Sequence, residues 1–191
     1  MEMTSTELSM QTVASLFDPP PERDESKVHV SELRDALLET LGMQKPREPE
    51  LPEWVENIGS FGLCWEAVLL ESMREQTREK GLAFVPGTIS LEEDEVIGSL
   101  DGMIVLSSHL ERGEWVKGHR VAIWECKTRW HPTETPDQNE KYLIQAKAYC
   151  WMAGVSTCWF PVLNIASRPP NMRQWLHILE FTSQELMENW Q

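Results

Sequence analysis

The chain is poor in the residue patterns that mark several common protein classes. Its four cysteines include no C-x-x-C pair, and its five histidines lack the spacing of metal ligands, so no structural zinc site is expected. No apolar run is long enough to span a membrane, and no secretory signal is visible. We therefore expect free, buried thiols in a protein of the cytoplasm, either of a bacterium or of an infected host cell.

Positive charge is also scarce, because 17 lysines and arginines stand against 31 acids, a net charge of −14. This balance argues against a general nucleic-acid binder, since phosphate contacts need lysine and arginine. The distribution is uneven: residues 1–56 hold 13 acids and 5 bases, whereas residues 112–147 hold 7 bases and 5 acids. The bases of residues 112–147 could therefore form a narrow basic groove on an acidic body, or they could be an ordinary solvated face.

The 191 residues suit one domain with a substantial core. Residues 1–27 are polar, acidic and proline-containing, so we expect a flexible segment there and a single domain over residues 28–191. Helices are predicted at 31–42, with Ser31 as N-cap, at 58–80, at 139–154 and after Thr182; strands are predicted at 83–92, 95–107, 119–130, 157–165 and 174–181. The predicted class is α/β (α+β), with a central mixed sheet of about five strands flanked by helices.

Three charged residues interrupt strands that otherwise read as buried. Asp101 lies in one of them, and Glu125 and Lys127 lie in the next. An unpaired buried charge costs several kcal/mol, so packing alone rarely places charges there. Residues two apart on a strand share a face, which puts Glu125 beside Lys127 and turns Trp124 and Cys126 to the opposite face. Asp101 can meet Glu125 across the sheet if the two strands pair.

Two carboxylates beside a lysine suit a divalent metal site for phosphodiester hydrolysis. Mg²⁺ prefers oxygen ligands and keeps several waters, so one or two carboxylates plus substrate phosphate are sufficient. Lys127 could orient or deprotonate the attacking water, or stabilise the charged transition state. Gly98 and Gly102 flank Asp101, and glycine inside a strand often marks close approach by a ligand or another backbone. The alternative is an ordinary strand pair with an incidental salt bridge.

Four motifs occur in an order that resembles one nuclease superfamily. They are Gly-Leu-Cys-Trp-Glu at 62–66, Gly-Ser-Leu-Asp-Gly at 98–102, Glu-Cys-Lys at 125–127, and Gln-Ala-Lys-Ala-Tyr at 145–149. Over residues 58–182 the chain resembles the PD-(D/E)xK nucleases, in the λ exonuclease and RecB-type branch, which implies a restriction-endonuclease-like core. Leu100 stands where the superfamily's name has proline, a substitution common in this branch.

The resemblance implies a set of site residues. Asp101 and Glu125 would bind Mg²⁺, with Mn²⁺ as a substitute, and the Cys126 carbonyl would be a third ligand. Glu66 would add an acid at the metal site, although a solvated helix acid is the plain alternative. Lys127 would be the catalytic lysine.

The last motif places two residues on one face of a helix. Gln145 and Tyr149 are four apart, so they are neighbours on the helix surface. The resemblance implies that they support the site or contact the DNA backbone. Without it, Tyr149 would be a core residue with its hydroxyl satisfied.

The expected function is an exonuclease that acts on DNA ends in recombination or repair, in a phage or mobile-element protein. Two alternatives stay open: a structure- or sequence-specific endonuclease on the same core, and a non-enzymatic acidic subunit or inhibitor of a DNA-handling complex. DNA is the expected partner and a membrane is not. A recombination or single-strand-binding partner protein and a homo-oligomer stay open.

Overall fold

The computed structural model describes residues 25–43, 68–69, 73–74, 77–106, 120–129, 135–164 and 173–191. Glu66 and most of the predicted flexible segment lie outside the described residues. Within the described part, the chain forms one mixed sheet with helices on both faces, so the predicted α+β class is confirmed. No helix in this part of the chain is long and apolar enough to cross a bilayer.

The described elements follow the predicted order. The strands are β1 (Val28–His29), β2 (Leu82–Glu93), β3 (Val96–Leu106), β4 (Arg120–Trp124), β5 (Lys127–Arg129), β6 (Thr157–Asn164) and β7 (Arg173–Glu180). The helices are α1 (Val30–Thr40), α2 (Glu140–Ala153) and α3 (Ser183–Trp190), with a 3-10 turn at Pro136–Gln138 and helical residues at 68–69, 73–74 and 77–79.

The sheet has five main rows, in the order β2, β3, β4 with β5, β6 and β7. The short β1 pairs with the start of β3. β4 and β5 run parallel to β6 in one register, since Ile123 pairs with Cys158 and Lys127 pairs with Val162. They are therefore one strand interrupted at Glu125 and Cys126. The seven labelled strands thus form five rows, as predicted, together with the short β1.

The start of α1 differs from the sequence prediction. The helix begins at Val30, and the Glu32 carboxylate accepts the backbone N–H of His29 at 3.0 Å. A glutamate at the third helical position that reaches back to the N-cap amide satisfies a donor that the helix itself leaves open. His29 is therefore the N-cap, and the prediction of Ser31 was wrong.

The boundaries of α2 match the predicted ones because both ends carry local signals. The Asn139 side chain accepts the Tyr142 backbone N–H at 3.3 Å, which caps the first turn. Gly154 ends the helix in the left-handed region with φ of 69°, a conformation that glycine adopts without a Cβ penalty. These two signals hold α2 in register against the sheet.

Two apolar clusters lie on opposite faces of the sheet. The larger one packs β3, β4 and β6 against α2 and α3, with Met103, Ile123 and Phe160 fully buried. The smaller one lies on the other face and joins Trp124 to Met73 in the helical residues before β2. Side chains that alternate along β3 and β4 feed the two clusters, as expected for strands covered on both faces.

The glycine at position 98 makes room for α2. A Cβ built there would lie 3.0 Å from Met152 Sδ and 3.0 Å from Tyr149 Cε1. The sequence predicted close approach by a ligand or another backbone, whereas two helix side chains fill the space at Gly98. This packing brings Tyr149 down onto β3.

We expect Gly98→Ala to lower the free energy of unfolding by about 1–3 kcal/mol, because the buried Tyr149 ring has little room to retreat. Urea denaturation measures this change. Ser90→Ala, at an exposed position of β2, is the matched control and should stay within about 0.5 kcal/mol of the parent protein. Equal stability of the two variants would contradict tight packing at Gly98.

Candidate active site

The register of β3 and β4 brings Asp101 to Glu125. Gly102 pairs with Trp124 and Met103 with Ile123, and the same register continued by one residue places Asp101 opposite Glu125. The Cys126 backbone N–H donates to Asp101 Oδ2 at 2.8 Å. Asp101 therefore lies beside the break between β4 and β5.

A β-bulge lies on the other side of Asp101. The pairing of β2 with β3 shifts between Pro86 and Ile89, so residues 87 and 88 of β2 oppose the single residue Asp101. This two-against-one count is that of a β-bulge, which bends a strand and redirects side chains. Asp101 thus sits at an irregular point of both of its neighbouring pairings.

Glu125 and Lys127 meet on one face of the interrupted strand. Lys127 Nζ donates to Glu125 Oε1. The Lys127 side chain is 24% exposed, and the Glu125 side chain is 2% exposed. Trp124 and Cys126 pack into the smaller apolar cluster on the opposite face. We call Asp101, Glu125 and Lys127 the carboxylate–lysine cluster.

Burial and charge act in opposite directions within this cluster. Burial raises the pKa of Asp101, and the Lys127 ammonium and the Cys126 N–H only partly offset that rise. Burial lowers the pKa of Lys127, but the carboxylates of Glu125 and Asp101 outweigh it and the pKa is raised. In this arrangement the two carboxylates favour the protonated form of Lys127, which is a hydrogen-bond donor.

Gln145 and Tyr149 of α2 lie against the cluster. Gln145 Nε2 donates to Glu125 Oε1 at 3.0 Å and to the Tyr149 hydroxyl at 3.1 Å. Both side chains are buried, and burial together with the charge of Glu125 raises the pKa of Tyr149, so its hydroxyl stays neutral. The structure thus brings together five of the predicted side chains, and Tyr149 is also part of the core.

Sequence reasoning missed Arg34 and Asp35 of α1. Arg34 Nη1 donates to Gln145 Oε1 at 2.5 Å, although the two residues are 111 positions apart. Arg34 also pairs with Asp35 Oδ1 at 2.7 Å, and Lys141 Nζ lies 3.4 Å from the same oxygen. Burial raises the pKa of Asp35, but Arg34 and Lys141 outweigh it and the pKa is lowered. An Arg-Asp pair on an amphipathic helix carries no sequence signal for such a contact.

The donor set of the cluster suits a hard divalent cation. Among the described residues, no three or more side chains of histidine, cysteine, aspartate and glutamate could together hold a metal. Mg²⁺ needs only one or two carboxylates beside waters and phosphate. The bonds from Cys126, Lys127 and Gln145 go to one oxygen each of Asp101 and Glu125, and a carboxylate offers about four lone-pair sites. Two carboxylates and one ammonium leave a net negative charge that a divalent cation would reverse, so the residues present fit Mg²⁺.

Comparisons with known proteins give matches to solved structures alone. No protein-family model and no curated protein matches the chain. An alkaline exonuclease (LHK-Exo) from Laribacter hongkongensis is 15% identical, with 86% of this chain and 82% of that chain covered and a TM-score of 0.48. A phage related exonuclease from Haemophilus somnus 129PT is 16% identical, with 93% and 91% covered and a TM-score of 0.44.

Proposed function

We propose that this protein is a Mg²⁺-dependent nuclease that hydrolyses phosphodiester bonds of DNA, with Mn²⁺ as a substitute. The observation that supports the proposal is the carboxylate–lysine cluster, in which two carboxylates and an ammonium meet on one sheet face. Packing has no need of these charges, since burying them costs free energy that apolar residues would not cost. The order of the motifs around them supports the same function.

In the proposed mechanism, Asp101 and Glu125 would hold the metal together with the Cys126 carbonyl. A bound Mg²⁺ would lower the pKa of a water and offset the negative charge of the scissile phosphate. Lys127 is protonated and partly exposed, and an ammonium has three donors, of which Glu125 accepts one. Lys127 therefore donates to a phosphate oxygen and stabilises the charge that develops there.

The surrounding donors orient the two carboxylates before substrate arrives. The Cys126 N–H holds Asp101, and Gln145 donates to the same Glu125 oxygen that accepts from Lys127. Donors that are already in position need little reorganisation during the reaction. They therefore stabilise the charge of the transition state at little cost in free energy. Tyr149 in turn contacts the Gln145 amide.

Within this function we propose an exonuclease that acts on DNA ends in recombination or repair, in the cytoplasm of a bacterium or of an infected cell. An endonuclease on the same core is the nearest alternative. A non-enzymatic acidic subunit or inhibitor is a second candidate, which the net charge of −14 favours. A recombination or single-strand-binding partner would supply basic surface to either.

End-labelled linear duplex and covalently closed circular DNA, each with Mg²⁺ and with EDTA, test the proposal. Metal-dependent loss of the linear DNA alone would support the exonuclease. Cutting of the circle would favour the endonuclease. Folded protein that cleaves neither substrate would overturn the nuclease and favour the acidic subunit.

Cys126 contributes to the cluster through its backbone, so we expect Cys126→Ala to keep kcat within about threefold of the parent value, which corresponds to less than about 0.7 kcal/mol. Its side chain packs into the smaller apolar cluster on the far face. Steady-state cleavage of linear duplex DNA measures this. A loss of tenfold or more, in a protein with unchanged melting temperature, would show that the thiol itself takes part.

A further inference from the structure

A chain of hydrogen bonds joins the N-terminal helix α1 to the carboxylate–lysine cluster. Arg34 of α1 donates to Gln145 Oε1, and Gln145 Nε2 donates to Glu125 Oε1 at 3.0 Å. The Arg34 side chain is 10% exposed, and Gln145 is 6% exposed. The chain is therefore shielded from water along its length.

The chemistry of its two ends determines how the Gln145 amide is oriented. A guanidinium has donors only, and a carboxylate has acceptors only. Arg34 must therefore face the oxygen of the amide, and Glu125 must face its nitrogen. An amide turned the other way would set two acceptors against each other at Glu125 and two donors against each other at Arg34.

Arg34 is itself held in place. Its Nε and Nη2 both contact Asp35 Oδ1, at 2.8 Å and 2.7 Å, which leaves Nη1 directed at Gln145. Lys141 at the start of α2 lies 3.4 Å from the same carboxylate oxygen. The guanidinium thus has one orientation supported by both helices.

We propose that Arg34 is a positioning residue of the cleavage site, which acts through the Gln145 amide to hold Glu125 in the orientation that cleavage requires. This inference rests on the proposed function for its effect on cleavage. The side-chain arrangement that it invokes can be measured without cleavage. Residues that orient a metal-binding carboxylate typically change activity or metal affinity by about 10- to 100-fold when they are replaced.

A purely structural role is the competing explanation, because Arg34 also helps to dock α1 on α2. Leu38 lies on the same helix, is 3% exposed, and is a matched control. Leu38→Ala should weaken the docking of α1 and lower the melting temperature while Arg34 keeps its contact with Gln145. The two roles therefore separate when stability and cleavage are measured together.

The kinetic test is a double-mutant cycle on the full chain with Mg²⁺ and linear duplex DNA, using Arg34→Met and Gln145→Leu. We expect Arg34→Met to lower kcat by about 10- to 100-fold with little change in KM. In the Gln145→Leu background, Arg34→Met should lower kcat by less than about threefold, because residues that act through one contact are not additive. An equal further loss in that background, or an unchanged kcat in the single variant, would overturn the proposal.

Arg34→Lys covers the case in which Arg34→Met does not fold. Lysine keeps a donor for Gln145 Oε1 but loses the fork that also contacts Asp35. It should recover part of the lost kcat. Two results would count against positioning through Gln145. One is an Arg34→Lys protein no more active than folded Arg34→Met, and the other is an Arg34→Lys protein with the full kcat loss and an unaltered Gln145 amide.

The structural test uses the side-chain amide of Gln145 in the metal-free protein, observed by NMR and assigned with Gln145→Leu. Its two protons should be protected from exchange in the parent protein and in Leu38→Ala. They should lose protection in Arg34→Met and keep part of it in Arg34→Lys, which retains a donor for Gln145 Oε1. If the parent protein cleaves no DNA and this pattern still holds, the proposed function fails while the positioning contact stands. If cleavage occurs and the Gln145 amide is unaltered by both Arg34 variants, the positioning role fails alone.

Discussion

Replacing Lys127 with methionine is expected to lower kcat for DNA cleavage by about 10²- to 10³-fold, the usual effect of removing one donor that stabilises a charged transition state. Methionine keeps the apolar stem of the side chain and removes the ammonium. The raised pKa of Lys127 means that the parent residue is charged at neutral pH, so the variant loses a full positive charge beside the phosphate. Initial rates at saturating Mg²⁺ and DNA measure the change.

Lys80→Met is the control for this variant, since Lys80 is an exposed lysine away from the cluster. Its kcat should match that of the parent protein. Lys127→Met should also be less stable without metal, by up to about 3–5 kcal/mol, because Glu125 is 2% exposed and loses its cation. Circular dichroism at the assay temperature shows that the variant is folded. A folded Lys127→Met protein with parental kcat would remove Lys127 from the site.

Mg²⁺ is expected to raise the melting temperature by about 5–10 °C when its concentration is a hundred times its dissociation constant. Such binding adds about 2.7 kcal/mol to the native state, and each kcal/mol is worth about 2–4 °C in a chain of this size. The physical reason is that Asp101 and Glu125 lie side by side and a cation relieves their repulsion. Thermal melts over a Mg²⁺ titration, with EDTA as the zero point, measure the shift.

Asp101→Asn should abolish most of that shift without lowering the stability of the metal-free protein. Burial raises the pKa of Asp101, so the charged form is costly in the fold and a neutral amide removes this cost. Asp137→Asn, at an exposed acid of the 3-10 turn, should keep the full Mg²⁺ response. An equal response in the two variants would mean that Mg²⁺ binds elsewhere.

Local patterns were enough to predict most of the elements. The helix predicted at 139–154 is α2, whose cap residues are Asn139 and Gly154, and the capping box at Thr182 predicted α3. The spacing of Glu125 and Lys127 was enough to predict that they share a face, because strand side chains alternate. The predicted N-cap of α1 was wrong at this level. Serine is itself a common N-cap residue, whereas Glu32 marks a cap three residues before it, and the fold places the helix start at His29.

Contacts between distant segments needed the tertiary structure. The sequence by itself determined the mixed α+β class, the main strands, and the presence of charges inside two of them, because these depend on periodicity and side-chain chemistry over a few residues. The pairing that sets Asp101 beside Glu125, the bulge opposite Asp101, and the contact of Arg34 with Gln145 were decided by the packing of sheet and helices. Such contacts join residues 13 to 111 positions apart, and no short-range pattern encodes which distant side chain fills a given place.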